Sequence, residues 1–454
     1  MTKNLTSGQP GLVILAFAIP LIIGNVFQQV YTMADAFVVS RQIGIEALAA
    51  VTGTGSLQFL ILGFLIGATS GAAIVTAQRF GAADADGVRR SFAASLILCF
   101  VITIIVMAIS IATLKDLLLL LNTPKEIFEG AYQYFIVLLW GMPACMLFNL
   151  FSNMMRAVGD SRTPLYILIA ACVINIVLDY LFIMFLHTGV IGAGIATVIA
   201  QLLSALACIP VIKKKLPALS FRLADFRVPL KECWAHIRVA LPVGFQWSII
   251  AIGTIAVTFV LNGLGYEAVA AFNIGQRIDQ FTVLTLSSFG QAMTTFSAQN
   301  YGARKYARLR TGALHTAIIV SILSVLMGAF FILLGDKIAS VFLKKNYGAI
   351  ELAHTYLIVQ SCFYIVLALL FVFRQLIQGT GNAMVPTISG VIELIMRTFA
   401  ALFLTQVFGY TGLCFASPLA WMGCLVPLSI ALILILKKLR RVEIREAKEA
   451  RLHA

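Results

Sequence analysis

Two aspartates stand inside long apolar stretches of this chain, where charged side chains are rare. Asp179 follows Asn175 by four residues within the apolar run 165–186, so the two side chains project from one face of a helix. Asp35 stands in the first apolar run. A carboxylate at membrane depth costs roughly 2.5–3.5 kcal/mol on insertion scales, so it normally faces a polar partner or a cavity. We therefore predict that Asp35 and Asp179 meet inside a membrane-embedded helix bundle.

The composition indicates the class of protein that must position these acids. Of 454 residues, 60% are hydrophobic and only 11% are charged. Apolar runs of about 20 residues, each long enough to cross a bilayer as a helix, follow one another along the chain. We predict an all-α polytopic membrane protein, because open sheet edges leave backbone groups without hydrogen bonds in lipid. A large soluble protein with buried helices is the less favoured alternative.

Breaks at polar, glycine or proline clusters divide the chain into twelve apolar spans. The spans cover 12–40, 47–77, 91–113, 130–155, 165–186, 191–212, 239–262, 268–298, 311–334, 352–378, 386–406 and 412–436. Pro20, Pro143 and Pro242 fall inside spans and are candidate kinks. The first ten residues are polar and the first span is too long for the core of a signal peptide, so we expect no cleaved signal.

Lysine and arginine are distributed unevenly between the connections on the two sides of these spans. With a cytoplasmic N-terminus, 24 of them fall on the inner side, 6 on the outer side and 3 within spans. This asymmetry predicts a multi-pass protein of the cytoplasmic (inner) membrane with both termini in the cytoplasm. The net charge of +14 is therefore a topological signal, and we do not expect nucleic acid as a partner.

Cysteine and histidine spacing argues against a disulfide framework and a zinc site. Seven of the eight cysteines lie in apolar runs and none forms a CxxC pair, while the five histidines show no metal-binding spacing. We expect no cofactor and no catalytic residues. The expected surroundings are the lipid bilayer, and the expected oligomeric state is a monomer.

The two halves of the chain repeat each other. Four motifs recur in the same order at an offset of 221 or 222 residues, namely 18–20 at 240–242, 43–50 at 264–271, 78–82 at 299–303 and 159–164 at 381–386. Each copy holds six spans, an even number, so both copies share one orientation, as in transporters that rock about a midplane site. We predict two pseudo-symmetric six-helix lobes around a central cavity. The predicted domains are the N-lobe 1–212, a cytoplasmic linker 213–238, the C-lobe 239–436 and a basic cytoplasmic tail 437–454.

Several motifs of the first half follow a recognisable order. They are Pro20, Gln28-Gln29 and Asp35 in span 1, Gln78–Ala82, Arg156–Asp160, Asn175 with Asp179, and Gly192–Gly194 leading to Thr197. In these motifs and in its twelve spans the chain resembles the multidrug and toxic compound extrusion (MATE) family of secondary transporters over essentially its whole length. The resemblance implies that Asp35, Asn175, Asp179 and Thr197 form a cation site in the N-lobe, as in DinF-like members.

One departure from the family pattern bears on the branch. NorM-like members typically carry an additional acidic site in spans 7 and 10. Here neither 242–261 nor 356–378 contains an acid. The resemblance therefore favours the DinF-like branch.

Alignment of the two halves separates two kinds of buried charge. Asp35, Asn175 and Asp179 correspond to Val257, Arg397 and Ala401, so the polar cluster exists only in the first copy, whose spans contain no base. The second copy holds acids and bases together within its spans, namely Asp279, Glu393, Arg277, Arg374 and Arg397. Glu393 and Arg397 have the i,i+4 spacing of a helical ion pair. We interpret Arg277, Asp279, Glu393 and Arg397 as structural or gating pairs, and Arg156 and Arg374 as anchors at span ends.

Two neighbouring carboxyl groups in a low dielectric do not both ionise easily, because burial and mutual repulsion disfavour the second charge. Asp35 and Asp179 would then carry a proton, and Asn175 and Thr197 would orient them or complete an oxygen cage for sodium. The residues leave proton and sodium open, and a structural role in bonding helix ends or water is the alternative. An acidic, aromatic cavity suits organic cations. The candidate cavity residues are Phe27, Gln28, Tyr31, Met33 and Met155.

These observations predict a secondary active multidrug exporter, not an enzyme, that exchanges amphipathic cationic drug-like compounds for protons by alternating access. The alternatives are sodium-coupled antiport at the same site, with Na⁺ at Asp35, Asn175, Asp179 and Thr197, and a flippase for lipid-linked precursors or polysaccharides, which would carry a basic cavity. An intramembrane aspartyl protease would also use two aspartates, but neither lies in a GxGD context. A passive channel would conduct without coupling to a gradient.

Overall fold

The computed structural model describes residues 4–121, 123–220, 223–343 and 347–452, and every regular element within these ranges is helical. The predicted all-α class is confirmed. Helices suit these apolar runs because they satisfy all backbone hydrogen bonds within one segment. Lys3, Arg222, Lys344 and Lys345, which enter the predicted charge asymmetry, lie outside the described residues.

Fifteen α-helices make up the described ranges. The first half contains α1 (Pro10–Gln42), α2 (Ile45–Gly53), α3 (Gly55–Gly81), α4 (Ala85–Leu120), α5 (Lys125–Trp140), α6 (Met142–Ala157), α7 (Arg162–Asp179) and α8 (Gly189–Lys215). A π-helical segment, Tyr180–Phe185, continues α7, and two short 3₁₀ turns, Pro217–Leu219 and Leu223–Phe226, follow α8. The second half contains α9 (Leu230–Asn262), α10 (Tyr266–Gly302), α11 (Tyr306–Leu343), α12 (Tyr347–Cys362), α13 (Tyr364–Gly379), α14 (Met384–Cys414) and α15 (Ala416–Leu452).

Nine helical stretches of the described chain are long and apolar enough to cross a membrane, or eleven if each of two bent pairs counts as one span. The pairs are α5 with α6 and α12 with α13, and each is bent by 51°. Helix α10 is the counterpart of α2 and α3 and completes the twelve predicted spans, although its polar side chains lower its hydropathy. The kink predicted at Pro143 lies at Gly141, because proline is tolerated in the first turn of α6.

The repeat is visible in the backbone as well as in the sequence. Residues with positive φ occur at equivalent positions of the two halves: Gly44 and Gly265 (124° and 89°), Ala83 and Arg304 (both 56°), and Gly159 and Gly381 (90° and 87°). Gly159 and Gly381 each follow the end of a helix, where a left-handed residue is best supplied by glycine. The predicted pseudo-symmetry of the two halves is therefore a property of the fold.

The chain divides into two compact units. The first unit contains Pro20–Ser248, and the second contains Leu5–Ile19 with Ile249–Ala454. Helices α1 and α9 therefore contribute residues to both units, whereas the predicted lobes assigned each helix to one lobe. Residues 5–19 join the second unit because the α10–α11 connection binds their start: Leu5 N donates to Gln299 Oε1 at 3.0 Å, and Arg308 Nη1 donates to the Gly8 carbonyl at 2.8 Å.

Two segments predicted as polar connections are partly helical. Within the predicted linker 213–238, α8 ends at Lys215 and α9 already begins at Leu230. Arg79 donates to Glu232 at 3.0 Å, and this ion pair holds the first turn of α9. The described part of the tail continues α15, where Glu443 accepts from Arg310 at 2.9 Å. Ion pairs thus extend both helices beyond their apolar parts.

The connection between α3 and α4 is a tight turn stabilised by Asp84. Its carboxylate caps α4 by accepting from the Gly87 backbone N at 2.8 Å and from Arg79 at 3.2 Å. These donors lower the pKa of Asp84, the backbone amide most of all. The side chain lies outside the spans and is well exposed, so it acts as a local cap for the helix.

Glycines on one face of α3 allow α9 to pack closely within the first unit. A Cβ on Gly67 would lie 2.7 Å from the Val243 carbonyl O, and one on Gly71 would lie 2.8 Å from the Ala240 Cα. Small residues spaced by four are typical of helices whose backbones touch in membranes. The contact between α3 and α9 therefore depends on the absence of side chains at Gly67 and Gly71.

Gly71→Ala is expected to destabilise the first unit by about 1–3 kcal/mol, because the added methyl meets backbone atoms that cannot rotate away. The measurement is thermal unfolding of the purified protein in detergent. Gly55→Ala is the matched control, because a Cβ there meets no atom within 4 Å. Equal melting temperatures for the two variants would show that α3 and α9 do not pack as described.

Candidate functional site

The predicted cluster of the first half lies between α7 and α8 in the first unit. Asn175 and Asp179 are fully buried, and Thr197 is nearly so. With the Asn175 amide oriented to satisfy both of its ends, its nitrogen donates to Asp179 Oδ2 at 2.9 Å and its oxygen accepts from the Thr197 backbone N at 3.1 Å. Asn175 therefore fixes one oxygen of Asp179 and orients the carboxyl group.

Helix α1 brings Asp35 to the same place. The Asp35 and Asp179 side chains lie within hydrogen-bonding distance of each other, and Asp35 is only 7% exposed. The Oδ1 atoms of both residues are buried without any hydrogen-bond partner that could donate to them. Neither aspartate forms an ion pair anywhere in the described ranges. Because a carboxylate has no hydrogen to donate, a hydrogen bond between the two requires one shared proton.

Two tyrosines border this pair. The Tyr31 hydroxyl and Thr197 Oγ1 are 3.1 Å apart, which links α1 to α8 beside the acids. Tyr134 of α5 is buried and lies within electrostatic range of both carboxyl groups. Sequence reasoning missed Tyr134, because a tyrosine in an apolar run gives no signal of its own. Its neighbours became visible only when α5 was placed against α1 and α7.

A local irregularity of the backbone marks the same position. Helix α7 ends at Asp179, and the π-helical segment Tyr180–Phe185 begins at the next residue. The Leu186 N bonds to the Leu181 carbonyl, five residues back. Wider turns of this kind are rare and often occur at functional sites. The sequence contains no proline or glycine between 165 and 186 that would have predicted it.

The candidate cavity residues do not form one surface. Phe27, Tyr31 and Asp35 are spaced by four on α1 and share a face, with Gln28 beside them and exposed. Met33 is 58% exposed, but it lies two residues from Asp35 and so points to the opposite side of α1. Met155 is 0% exposed, so its assignment to an accessible cavity is wrong in this conformation. Its side chain is part of the packing of α6.

The buried charges of the second unit form a compact triad. Glu393 Oε1 accepts from Arg397 at 2.6 Å, and Glu393 Oε2 accepts from Arg374 at 2.5 Å. Arg374 also contacts Cys424, which in turn contacts Ser389. The interpretation of Arg374 as an anchor at a span end is wrong, because its side chain is 4% exposed and points to Glu393. The sequence could not show this partner, which lies on another helix.

Asp279 and Arg277 do not pair. Asp279 is buried and accepts from the Tyr364 hydroxyl at 2.6 Å, whereas Arg277 is exposed. Residues two apart on a helix point in nearly opposite directions, so the pairing considered from sequence is wrong for geometric reasons. Asp279 forms no ion pair within the described part of the chain. It is the third acid, after Asp35 and Asp179, that lies buried without a base.

The two copies and their cluster agree with a known family model. The MatE family model matches the chain twice, over residues 20–181 and 242–403, which is well over half of its length. The chain belongs to the MatE family. As a MatE protein it is a multi-pass membrane transporter and not an enzyme.

Relatives of this MatE protein extend over most of its length. The protein named Probable multidrug resistance protein YoeA, of Bacillus subtilis (strain 168), is 27% identical over 389 residues, 83% of each chain. The protein named FAD transporter, of Shewanella oneidensis, is 25% identical over 426 residues, which is 92% of this chain and 93% of its own. A structure described as the outward-facing conformation of a multidrug resistance MATE family transporter superposes with a TM-score of 0.86 at 24% identity, covering 97% of this chain and 99% of its own. That likeness shows the fold.

The donor set limits what the first-unit cluster can bind. No group of three or more histidine, cysteine, aspartate or glutamate side chains suited to a metal occurs in the described ranges. Asp35, Asp179, Asn175 and Thr197 offer oxygen atoms only, which suits a proton or a hard cation. What the arrangement can do chemically is exchange a small cation in a closed, low-dielectric site.

Proposed function

We propose that this MatE protein is a proton-coupled antiporter that exports amphipathic, cationic organic compounds. The observation that carries the proposal is the contact between the buried carboxyl groups of Asp35 and Asp179, with no base beside them. The multidrug names of several relatives support export of chemically diverse compounds. The charge asymmetry of the sequence supports placement in the cytoplasmic membrane with both termini inside.

The geometry suggests how one proton is held and released. Asn175 donates to Asp179 Oδ2, which leaves Oδ1 to face the shared proton. Loss of that proton would leave two neighbouring carboxylates in a low dielectric, and their repulsion would drive α1 and α7 apart. Tyr31 bonds to Thr197, so a shift of α1 would also break its contact with α8. Proton binding and the position of α1 are therefore coupled.

Substrate and proton would compete through the same charge. The deprotonated pair attracts an organic cation, and the aromatic rings of Phe27 and Tyr31, on the Asp35 face of α1, add cation–π attraction. Protonation removes the negative charge and weakens that attraction, so a proton entering from outside would release the substrate there. A difference of 100 mV supplies roughly 2.3 kcal/mol for each proton that crosses.

The test is export of a fluorescent organic cation by purified protein in liposomes, with a proton gradient and a sodium gradient imposed separately. We expect transport with the proton gradient and none with sodium alone. Transport driven only by sodium would assign Asp35, Asn175, Asp179 and Thr197 to a metal cage instead. Absence of export under either gradient would contradict the proposal and direct attention to lipid-linked substrates.

A further inference from the structure

Asp279 lies in a second polar pocket, within the second unit and apart from the Asp35–Asp179 pair. Tyr364 donates to its Oδ1 at 2.6 Å, and Tyr356 lies 3.5 Å from its Oδ2. Asp279 is 5% exposed, and both tyrosines are buried. Hydroxyl contacts of 2.5–2.7 Å are typical of hydrogen bonds to an ionised carboxylate. The pocket therefore holds a negative charge that no base in the described chain neutralises.

Several oxygens around Asp279 lack partners. Gln360 lies four residues from each tyrosine and is 1% exposed. Its nitrogen donates to the Cys414 carbonyl at 2.9 Å, but its Oε1 is buried without a partner. Thr282 Oγ1 and Ser361 Oγ border the Tyr364 hydroxyl, and neither makes a well-formed hydrogen bond. Buried polar atoms are normally satisfied, so these oxygens indicate a missing ligand.

The backbone opens at this pocket. Helix α12 ends at Cys362 and α13 begins at Tyr364, with a bend of 51° between them. Ser361 and Gln360 stand in the last turn before the bend. Interrupted helices at membrane depth are found where polar backbone or side chains surround a binding site.

The first unit provides an internal comparison. At the offset of the repeat, Asp279 corresponds to Gln58 and Tyr356 to Tyr134, and these two side chains also contact each other. The fold therefore accommodates a neutral amide at this position beside the same tyrosine. A buried carboxylate is not required for packing, and its presence in the second unit needs another explanation.

We propose that the pocket around Asp279 binds one sodium ion. Asp279, Gln360, Thr282 and Ser361 supply oxygen ligands, which hard cations prefer, and the single negative charge matches a monovalent ion. A proton on Asp279 would neutralise the charge but would leave the Gln360 oxygen without a partner. No base competes for the site, unlike at Glu393, where two arginines occupy the carboxylate.

The test is thermal unfolding of the purified protein at constant ionic strength, with sodium replacing choline from about 1 to about 100 mM, since a ligand that binds the folded state raises its melting temperature. We expect a rise of several degrees in the wild type and none in Asp279→Gln, which copies the side chain of the first unit. Thr282→Val, which removes one oxygen at nearly constant volume, is expected to weaken the apparent sodium affinity several-fold.

Asp179→Asn separates this proposal from the proposed function, because the assay needs neither substrate nor gradient. We expect Asp179→Asn to keep the sodium effect of the wild type. Loss of the effect in Asp179→Asn with retention in Asp279→Gln would place sodium at the first-unit acids and overturn the proposal. No sodium effect in the wild type, or an equal effect of potassium, would also overturn it.

Discussion

Asp179→Asn is expected to abolish proton-driven export while leaving the protein folded. Asparagine has nearly the same shape as aspartate, and its oxygen still accepts from Asn175, so the contact that orients the side chain survives. It holds no exchangeable proton at transport pH, so the pair with Asp35 loses its function. The measurement is efflux of a fluorescent cation from liposomes under a proton gradient, expected to fall to the rate of protein-free liposomes.

The controls distinguish loss of coupling from loss of structure. Asp116→Asn changes an exposed aspartate near the end of α4 and is expected to transport as the wild type does. Exchange of labelled for unlabelled substrate without a gradient should persist in Asp179→Asn, because it needs no net proton transfer. Full gradient-driven efflux in Asp179→Asn would exclude the proposed proton relay. A melting temperature far below that of the wild type would show a structural role for the carboxyl group.

The sequence contains much of the first-unit site because polar residues are conspicuous in apolar runs. The four-residue spacing of Asn175 and Asp179 predicts their common face, and the cost of a buried carboxylate predicts a partner such as Asp35. The duplicated motifs likewise predict two equivalent halves, and the paired positive-φ residues agree. These features are local or repeated, so a single sequence reveals them.

Other features depend on contacts between distant segments and leave no local pattern. Tyr134 joins the acids only through the packing of α5, and Arg374 reaches Glu393 on another helix. The π-helical turn after Asp179 has no proline or glycine to mark it. The start of α9 inside the predicted linker follows from the partner that Arg79 offers to Glu232.

Glu393→Gln is expected to cause the largest loss of stability in the second unit. The change removes the carboxylate that Arg374 and Arg397 share and leaves two guanidinium groups buried and close together. Removal of one partner from a buried ion pair costs about 3–5 kcal/mol, because the remaining charge has no water and no counter-ion. We expect a large fall in the melting temperature and in the yield of folded protein. Glu351→Gln, on the exposed face of α12, is the matched control.

The first half of the chain supplies a rescue that tests the physical reason. At the repeat offset, Arg374, Glu393 and Arg397 correspond to Ser152, Ala171 and Asn175, so the fold can fill these positions without any charge. Because replacement of a whole buried ionic group by neutral residues is often tolerated, the triple variant Arg374→Ser, Glu393→Ala and Arg397→Asn is expected to recover most of the stability that Glu393→Gln loses. If the triple variant is no more stable than Glu393→Gln, uncompensated charge is not the cause of the loss. Its transport rate then measures separately whether the triad takes part in the cycle or only stabilises the second unit.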